Sequence, residues 1–200
     1  MAKIGFFGGT FNPIHNAHLR IAQEAKERFG LDRMLLVPSG FSWMKDPKEI
    51  ASREDRLRMA ELAAEECEGF EVSTIETDQE GLTYSCETLQ KLKVLYPEDD
   101  IYFIIGADQL FILEKWKNPE EILRLATMLV ADRGGFDQQE MEDKAAELEK
   151  NFGGRIMIYH MESSELSSTE LRRKIRDGED ISAYVPEKVA EYIEKRRLYI

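Results

Sequence analysis

Short apolar runs alternate with longer amphipathic stretches along the whole chain. A short apolar run bounded by turn residues, such as Ile101–Ile105, is typical of a buried strand. Apolar residues at helical spacing, such as Leu19, Ala22 and Ala25, predict helices between these runs. The predicted strands span residues 3–7, 34–37, 70–75, 101–105, 127–131 and 155–159. The predicted helices span 17–29, 52–67, 86–96, 138–150 and 167–176, and two more begin at Asn118-Pro119 and at Pro186.

This alternation predicts an α/β fold with a parallel sheet that is covered by helices on both faces. No repeat, low-complexity tract or linker interrupts the pattern, so residues 1–200 are expected to form a single domain, with a helical part at about 163–200. Ligands of such sheets bind beyond the carboxyl ends of the strands. The residues that follow each strand are therefore the places to look for chemistry.

Composition and charge narrow the class of protein. The chain has 200 residues, 42% of them apolar, and a net charge of −12. Binders of nucleic acid or of an acidic membrane surface usually carry a basic excess, so both classes are disfavoured. No run of about 18 apolar residues predicts a membrane span. Cys67 and Cys86 form no C-x-x-C pair, which favours a reducing, cytoplasmic setting in which both are core residues.

The residues after the first predicted strand, Gly8–His18, form the first candidate site. Gly8 and Gly9 let the backbone approach a ligand, and the helix N-terminus that follows favours phosphate. His15 and His18 lie three positions apart at that helix start, so both imidazoles can donate hydrogen bonds to one phosphate group. A tight turn with two incidental histidines is the alternative. The spacing is not H-E-x-x-H and no third ligand is evident, so no protein-bound metal is predicted.

A second candidate site opens the helix predicted at residues 167–176. Ser167, Ser168 and Thr169 offer hydroxyl groups and amides at the helix N-terminus, and Arg172 lies one turn further along. Such a group of donors can cradle an anion. The same local sequence is equally that of an ordinary helix cap, so by itself this segment leaves both interpretations open.

Together, the two segments resemble the signature motifs of the nucleotidylyltransferase superfamily. Its first motif, G-x-F-x-P-x-H-x-G-H, is kept from Gly9 to His18, except that Ala17 replaces the last glycine and Asn12 stands where aspartate is frequent. The segment Ser167–Arg172 is similar to the family's I-S-S-T-x-I-R motif. The resemblance implies a Rossmann-like, doubly wound sheet and an ATP site. From these two motifs, the residues implied to bind ATP are Gly8, Gly9, Thr10, Phe11, His18, Ser167, Ser168, Thr169 and Arg172.

A third group of residues resembles one branch of that superfamily, the bacterial nicotinate-mononucleotide adenylyltransferases. The segment Gly106–Asp108 followed by Lys115-Trp116 is similar to the branch's G-A-D and K-W motifs, and Gly81–Thr88 to its S-Y-T-x-D-T stretch. The resemblance implies that Trp116 stacks on the pyridine ring and that the amides of Ser85 and Trp116 meet the carboxylate. The implied nicotinate mononucleotide site is Thr83, Tyr84, Ser85 and Trp116.

Two further segments complete the implied ATP site. Asp132–Phe136 resembles the family's R-P-G-F segment beside the adenine, with Gly134 in place of proline, and it contributes Arg133. Gly106 and Asp108 are added because a carboxylate after a strand can accept two hydrogen bonds from ribose hydroxyls. The alternative for Asp108 is a helix N-cap.

The largest departure from the family follows the second predicted strand. Many members carry P-P-H-K there, whereas this chain has Pro38-Ser-Gly-Phe-Ser-Trp-Met-Lys45. Lys45 is kept and is implied to contact phosphate, while Met44 replaces the histidine. Trp43 on this loop is interpreted either as part of a lid or as an oligomer contact, so homo-oligomer formation stays open.

The resemblance implies transfer of AMP from ATP to nicotinate mononucleotide, with release of pyrophosphate and formation of nicotinate adenine dinucleotide. The implied catalytic residues are His15, His18, Lys45 and Arg172, and Mg²⁺ would arrive with ATP, since it keeps its waters and seldom needs a protein cage. One alternative is the same chemistry on nicotinamide mononucleotide or phosphopantetheine. The other is a module that binds a nucleotide without turnover.

Overall fold

The computed structural model describes residues 1–40, 50–162 and 166–200. The strands in these ranges have largely apolar sequences, and the middle residues of four of them are largely buried, as expected for a sheet covered on both faces. They are β1 (Lys3–Gly9), β2 (Arg33–Pro38), β3 (Phe70–Val72), β4 (Asp100–Gly106), β5 (Thr127–Asp132) and β6 (Arg155–His160).

The helices lie between and after these strands. They are α1 (Asn16–Phe29), α2 (Arg53–Ala64), α3 (Ser85–Leu95), α4 (Ala107–Leu110), α5 (Pro119–Leu125), α6 (Gln138–Phe152), α7 (Ser168–Arg176) and α8 (Glu187–Arg196). A 3₁₀ turn spans Leu113–Lys115. Several helices begin where side-chain chemistry predicts it: Ser52, Asp137 and Ser167 are N-caps whose side chains accept a hydrogen bond from a first-turn amide.

The six strands form one sheet in the order β3-β2-β1-β4-β5-β6. The pairs β1–β4, β4–β5 and β5–β6 are parallel, with Phe6 opposite Phe103 and Ile104 opposite Leu129. This strand order, which reverses between β1 and β4, is that of a Rossmann-type doubly wound sheet. The predicted fold class is therefore confirmed.

The packing of the backbone divides the described residues into two compact units. The first comprises residues 1–7, 21–34 and 84–162, and the second comprises residues 8–20, 35–40, 50–83 and 166–200. In the first unit, the rings of Phe6 and Phe103 stack with 4.4 Å between their centroids. In the second unit, Leu36, Met59 and Leu171 are fully buried. The single domain over residues 1–200 stays a prediction.

Three features differ from the predictions. The third strand ends at Val72 instead of residue 75, because the chain turns there and Ser73 donates its amide hydrogen to the carbonyl of Leu36. The helix predicted to reach Cys67 ends at Ala64, which leaves Cys67 half-buried, so only Cys86 is a buried core residue. Helix α4 and the 3₁₀ turn after it were not predicted, since four-residue and three-residue elements show no periodicity.

Among the described residues, no helix is both long enough and apolar enough to cross a membrane.

Candidate active site

The predicted site residues fall into two groups, one in each unit. Residues 10–15, here called the histidine turn, connect β1 to α1 in the second unit. Phe11 in this turn has a φ of 48°, in the left-handed region, and is almost fully buried. For a bulky residue this conformation costs about 1–3 kcal/mol and persists only where surrounding contacts impose it. Gly9 permits it, because a Cβ at Gly9 would lie 2.8 Å from the Phe11 ring.

The two histidines of the first motif lie against each other. Their ring centroids are 3.7 Å apart, with His15 buried and His18 half-buried. The backbone N–H of His15 donates to Nδ1 of His18 over 3.3 Å. A ring nitrogen that accepts a hydrogen bond carries no proton, so in neutral His18 the proton is on Nε2, which can donate to an anion. Phe11 meets the His18 ring edge-on, with 5.2 Å between centroids.

Helix α7 brings the second motif to the histidine turn. Nη1 of buried Arg172 donates to the carbonyl oxygen of Asn12 over 2.9 Å, and the Ser168 hydroxyl donates to the carbonyl oxygen of Pro13 over 3.0 Å. Ser167 acts as the N-cap and accepts from the Glu170 amide. The two motifs are about 150 residues apart in the sequence, yet the second unit unites them.

Two residues that were not predicted also hold the histidine turn. Arg56 on α2 is only 2% exposed, and its guanidinium donates to the carbonyl oxygens of Thr10, Gly40 and Ala51 at 2.8–3.3 Å. Burial lowers the pKa of Arg56 below its usual range. Tyr199 donates its hydroxyl to Oδ1 of Asn12 over 2.9 Å.

A signal for Arg56 was present in the sequence. It lies four and seven positions before Ala60 and Ala63, on the face of α2 predicted to be buried, and a cation on such a face needs partners. Tyr199 lacks any comparable signal, since its partner Asn12 is 187 positions away. In the described part of the chain, Arg56 forms no ion pair with a carboxylate, so its donors all serve backbone carbonyls.

The first unit contains the residues predicted to bind the nucleoside part of ATP. Asp108 is exposed, and its carboxylate lies over Gly106, where a Cβ would be 2.5 Å from Oδ1. The N-cap of α4 is Gly106, so the helix-cap alternative for Asp108 is wrong. Arg133 is exposed, in a turn closed by Asp132, whose Oδ1 accepts from the Gly134 amide over 2.9 Å. Oδ2 of Asp132 lies 2.8 Å from Nδ1 of His160.

Three of the four residues predicted to bind the pyridine nucleotide, Tyr84, Ser85 and Trp116, lie on two segments that the first unit brings together. We call Tyr84, Ser85, Glu87, Trp116 and Lys117 the tryptophan cluster. Lys117 connects the segments: its Nζ is 2.6 Å from Oε1 of Glu87 and 4.0 Å from the centroid of the Tyr84 ring. The half-buried Trp116 ring lies 6.1 Å from that of Phe103.

Three other predictions concern Thr83, Lys45 and a metal site. Thr83 lies in the second unit, where its hydroxyl donates to Oε2 of the buried Glu76 over 2.9 Å. Lys45, with the rest of the Ser42–Lys45 loop, lies outside the described residues. Among the residues that are described, no cluster of three or more His, Cys, Asp or Glu is arranged to hold a metal ion.

Comparison with known proteins decides the family. The cytidylyltransferase-like family model matches residues 6–174 of the chain. The chain belongs to this family. The predicted resemblance is thereby confirmed, since the match includes both histidines and Arg172.

Full-length relatives give a more specific comparison. A protein of Clostridium beijerinckii named "Probable nicotinate-nucleotide adenylyltransferase" is 38% identical over 203 residues and covers 100% of both chains. A protein of the same name from Clostridium novyi is 39% identical over 199 residues, again over 100% of both. Among solved structures of similar fold is the Plasmodium falciparum nicotinic acid mononucleotide adenylyltransferase complexed with NaAD. It has a TM-score of 0.81 and 19% identity, and the match covers 100% of this chain and 98% of that one.

Proposed function

We propose that the protein transfers the AMP group of ATP to nicotinate mononucleotide and thereby takes part in NAD biosynthesis. The full-length relatives carry the name of this activity. The observation in the chain itself that carries the proposal is the stacked pair of His15, in the histidine turn, and His18, in the first turn of α1, beside the hydrogen bond from Arg172 of the second motif to that turn. In this family the chemistry requires cationic or polar donors around a phosphate chain and no protein nucleophile.

The reaction balances without a covalent enzyme intermediate. An oxygen of the nicotinate mononucleotide phosphate attacks the α-phosphorus of ATP and forms a new P–O bond. The bond from the α-phosphorus to the oxygen that bridges to the β-phosphorus breaks, and pyrophosphate leaves with that oxygen. Negative charge increases on the oxygens around the reacting phosphorus, where a hydrogen-bond donor stabilises the transition state more than the bound substrate.

In the second unit we assign the phosphate chemistry. Nε2–H of His18 is the donor we place on the α-phosphate, with buried His15 as the ring that supports it. Arg172 adds positive charge while it holds the carbonyl of Asn12. The glycines Gly8 and Gly9, the backbone of Thr10 and Phe11, and the first residues of α7, namely Ser167, Ser168 and Thr169, are proposed as the remaining phosphate contacts, together with Lys45.

We assign recognition of the pyridine ring and of the nucleoside to the first unit. Trp116 offers a flat aromatic face to the pyridine ring, and the amides of Ser85 and Trp116 are neutral donors for its carboxylate. The cap position of α3 supports this, since Tyr84 supplies no side-chain hydrogen bond to the first amides of the helix. Tyr84 is proposed as a flanking contact, and Thr83, which lies in the second unit, stays a predicted contact. Asp108 is assigned to the ribose hydroxyls, and Gly106 and Arg133 to the nucleoside.

The divalent ion is proposed as part of the substrate, MgATP. The described residues offer no set of carboxylates or histidines for a resident metal, and Mg²⁺ usually binds through substrate phosphates and water. No step in the mechanism above passes through a protein-bound metal. A cytoplasmic location and homo-oligomer formation remain predictions, as does the absence of nucleic-acid and membrane partners.

A pyrophosphate-release assay tests the proposal. The protein is given MgATP with nicotinate mononucleotide, nicotinamide mononucleotide or phosphopantetheine in parallel reactions, and the dinucleotide product is identified by mass. We expect release that depends on nicotinate mononucleotide and is at least tenfold slower with the other two acceptors. Faster release with either of those would support the alternative acceptor. Binding of ATP without release of pyrophosphate in any reaction would support the alternative of a module that binds a nucleotide without turnover.

A further inference from the structure

We propose that Tyr199 is a positioning residue for the reaction, acting through Asn12 on the histidine turn. This inference rests on the proposed function for its kinetic consequence. The contact itself is the 2.9 Å hydrogen bond from the Tyr199 hydroxyl to Oδ1 of Asn12. Neither residue contacts substrate in this proposal, so Tyr199 acts through the geometry of the turn.

Asn12 holds the histidine turn through several long-range hydrogen bonds. It is 1% exposed, and its Oδ1 accepts from both the Tyr199 hydroxyl and the Ala51 amide, the latter over 3.0 Å. Its main-chain carbonyl accepts from Arg172. Three donors from three separate stretches of the chain therefore set the position of one residue. Asn12 is three positions before His15, whose ring stacks on that of His18, so we expect a shift of Asn12 to move this pair of rings.

The conformation of the chain around Tyr199 is built to make this contact. After α8, Arg197 and Tyr199 both have left-handed φ values, 54° and 68°. A left-handed conformation is rare for a bulky aromatic residue and signals that other contacts impose it. The Leu198 amide donates back to the carbonyl of Ile193, which turns the chain and lets the phenol reach Asn12. Phe11, next to Asn12, is left-handed as well. The hydrogen bond therefore joins Tyr199, which is itself left-handed, to the neighbour of left-handed Phe11.

A small movement of this turn would act mainly on the transition state. Catalysis by hydrogen-bond donors depends on placement, and a shift of about 1 Å can cost two orders of magnitude in rate. Removing only the phenol oxygen keeps the ring and its packing. The turn would then lose the Tyr199 donor to Oδ1 of Asn12, while Ala51, Arg172 and Arg56 still hold it. We therefore expect a partial loss of turnover and little change in ground-state binding.

The test compares Tyr199→Phe with a matched control, Tyr192→Phe. Tyr192→Phe also removes a hydroxyl that is bonded to a side chain of the second unit, since Tyr192 donates to Asp55 over 2.8 Å. Among the described residues, no hydrogen bond joins Tyr192 to the turn. Imidazole NMR signals give a readout independent of activity, because the chain has only three histidines. Tyr199→Phe should shift the signals of His15 and His18 and leave that of His160 unchanged. Tyr192→Phe should leave the His15 and His18 signals in place.

Kinetics supply the second readout, at a temperature where both variants are shown to be folded. For Tyr199→Phe we expect kcat to fall about fivefold to tenfold, with KM for ATP and for the acceptor within about twofold of wild type. In an Asn12→Ala background, Tyr199→Phe should have no further effect on kcat. Unchanged His15 and His18 signals, or an undiminished effect in the Asn12→Ala background, would overturn the proposal. A wild-type protein that releases no pyrophosphate would instead refute the proposed function, and the NMR comparison would still decide the positioning role.

Discussion

The histidine turn and the tryptophan cluster differ in how their shapes are maintained. In the turn, buried side chains from three other parts of the chain donate to backbone or side-chain oxygens: Arg56, Arg172 and Tyr199. In the tryptophan cluster, the exposed side chain of Lys117 joins two segments that lie about 30 positions apart. Buried charged donors are strong because water does not compete with them, whereas exposed ion pairs contribute about 0–1 kcal/mol.

This difference matches what each region is proposed to do. A group that stabilises a transition state must already be placed before the substrate arrives, and the turn has the buried contacts for that. A group that stacks on a planar ring tolerates small movements, so the tryptophan cluster functions with exposed, local contacts. We therefore expect substitutions in the turn to affect turnover or folding, and those in the cluster to affect acceptor binding.

The largest effect should come from His18→Ala. Turnover should fall about 10²–10³-fold, because the change removes a donor to the reacting phosphate. The Kd for ATP should change by less than about threefold. Pyrophosphate release and ATP titration measure the two quantities. His160→Ala, which removes a histidine of the other unit, is the control and should retain most of the activity. Turnover within threefold of wild type in His18→Ala would show that the catalytic assignment is wrong.

Arg56→Met tests whether the turn depends on its buried cation. Three backbone carbonyls would lose their donor, so we expect the free energy of unfolding to fall by about 3 kcal/mol in urea denaturation. Arg58→Met on the same helix is the matched control. Among the described residues Arg58 pairs with Glu61 and Glu65 on the surface, and its loss should cost less than about 1 kcal/mol. Equal losses of unfolding free energy in the two variants would contradict the expectation that buried contacts stabilise the protein more than exposed ones.

Trp116→Ala should change the function of the tryptophan cluster and leave that of the histidine turn intact. We expect KM for nicotinate mononucleotide to rise about tenfold, because the stacking surface is lost, while KM for ATP stays within about twofold. Trp116→Phe keeps an aromatic face and should raise the acceptor KM by less than about threefold. A parallel rise in both KM values would argue that Trp116 supports the fold instead of the acceptor.

The smallest effect concerns alkaline pH and compares one tyrosine from each unit. Burial raises the pKa of the Tyr199 phenol, which is enclosed although the residue as a whole is half-buried. Burial also raises the pKa of Tyr159, whose hydroxyl donates to the carbonyl of Ile21. A raised pKa in the folded state means that stability is complete below the unfolded pKa of about 10 and declines as the pH rises above it.

Each of the two tyrosines should therefore lower the free energy of unfolding by about 1 kcal/mol when the pH rises from 9 to 11. Denaturation curves of Tyr199→Phe and Tyr159→Phe at both pH values measure this contribution. Each variant should lose less stability over that interval than the wild type does. An equal decline in the wild type and in both variants would mean that neither phenol is protected by burial.

The sequence predicted the ends of the strands better than it predicted the surroundings of the turn. Helix α1 and strands β4 and β5 lie within one residue or so of the predicted positions, since their apolar spacing is regular. His15, His18 and Arg172 were singled out because they lie in recognisable local motifs. Arg56 lies on the buried face of α2 but was not among the predicted residues, because only apolar residues define that face in the sequence. Tyr199 had no local signal at all.

By itself, the sequence determined the alternation of strands and helices, the parallel sheet that follows from it, and the chemistry available at the ends of the strands. These depend on periodicity and on residues close together in the chain. Only the tertiary structure decided that Arg56, Arg172 and Tyr199 donate to one turn, because the partners are separated by up to 187 positions and their pairing follows from burial. It also decided that His18 is held through Nδ1 by the His15 amide, which leaves Nε2 as the donor. Local pattern selects the kinds of side chain, and long-range packing selects which of their atoms can act.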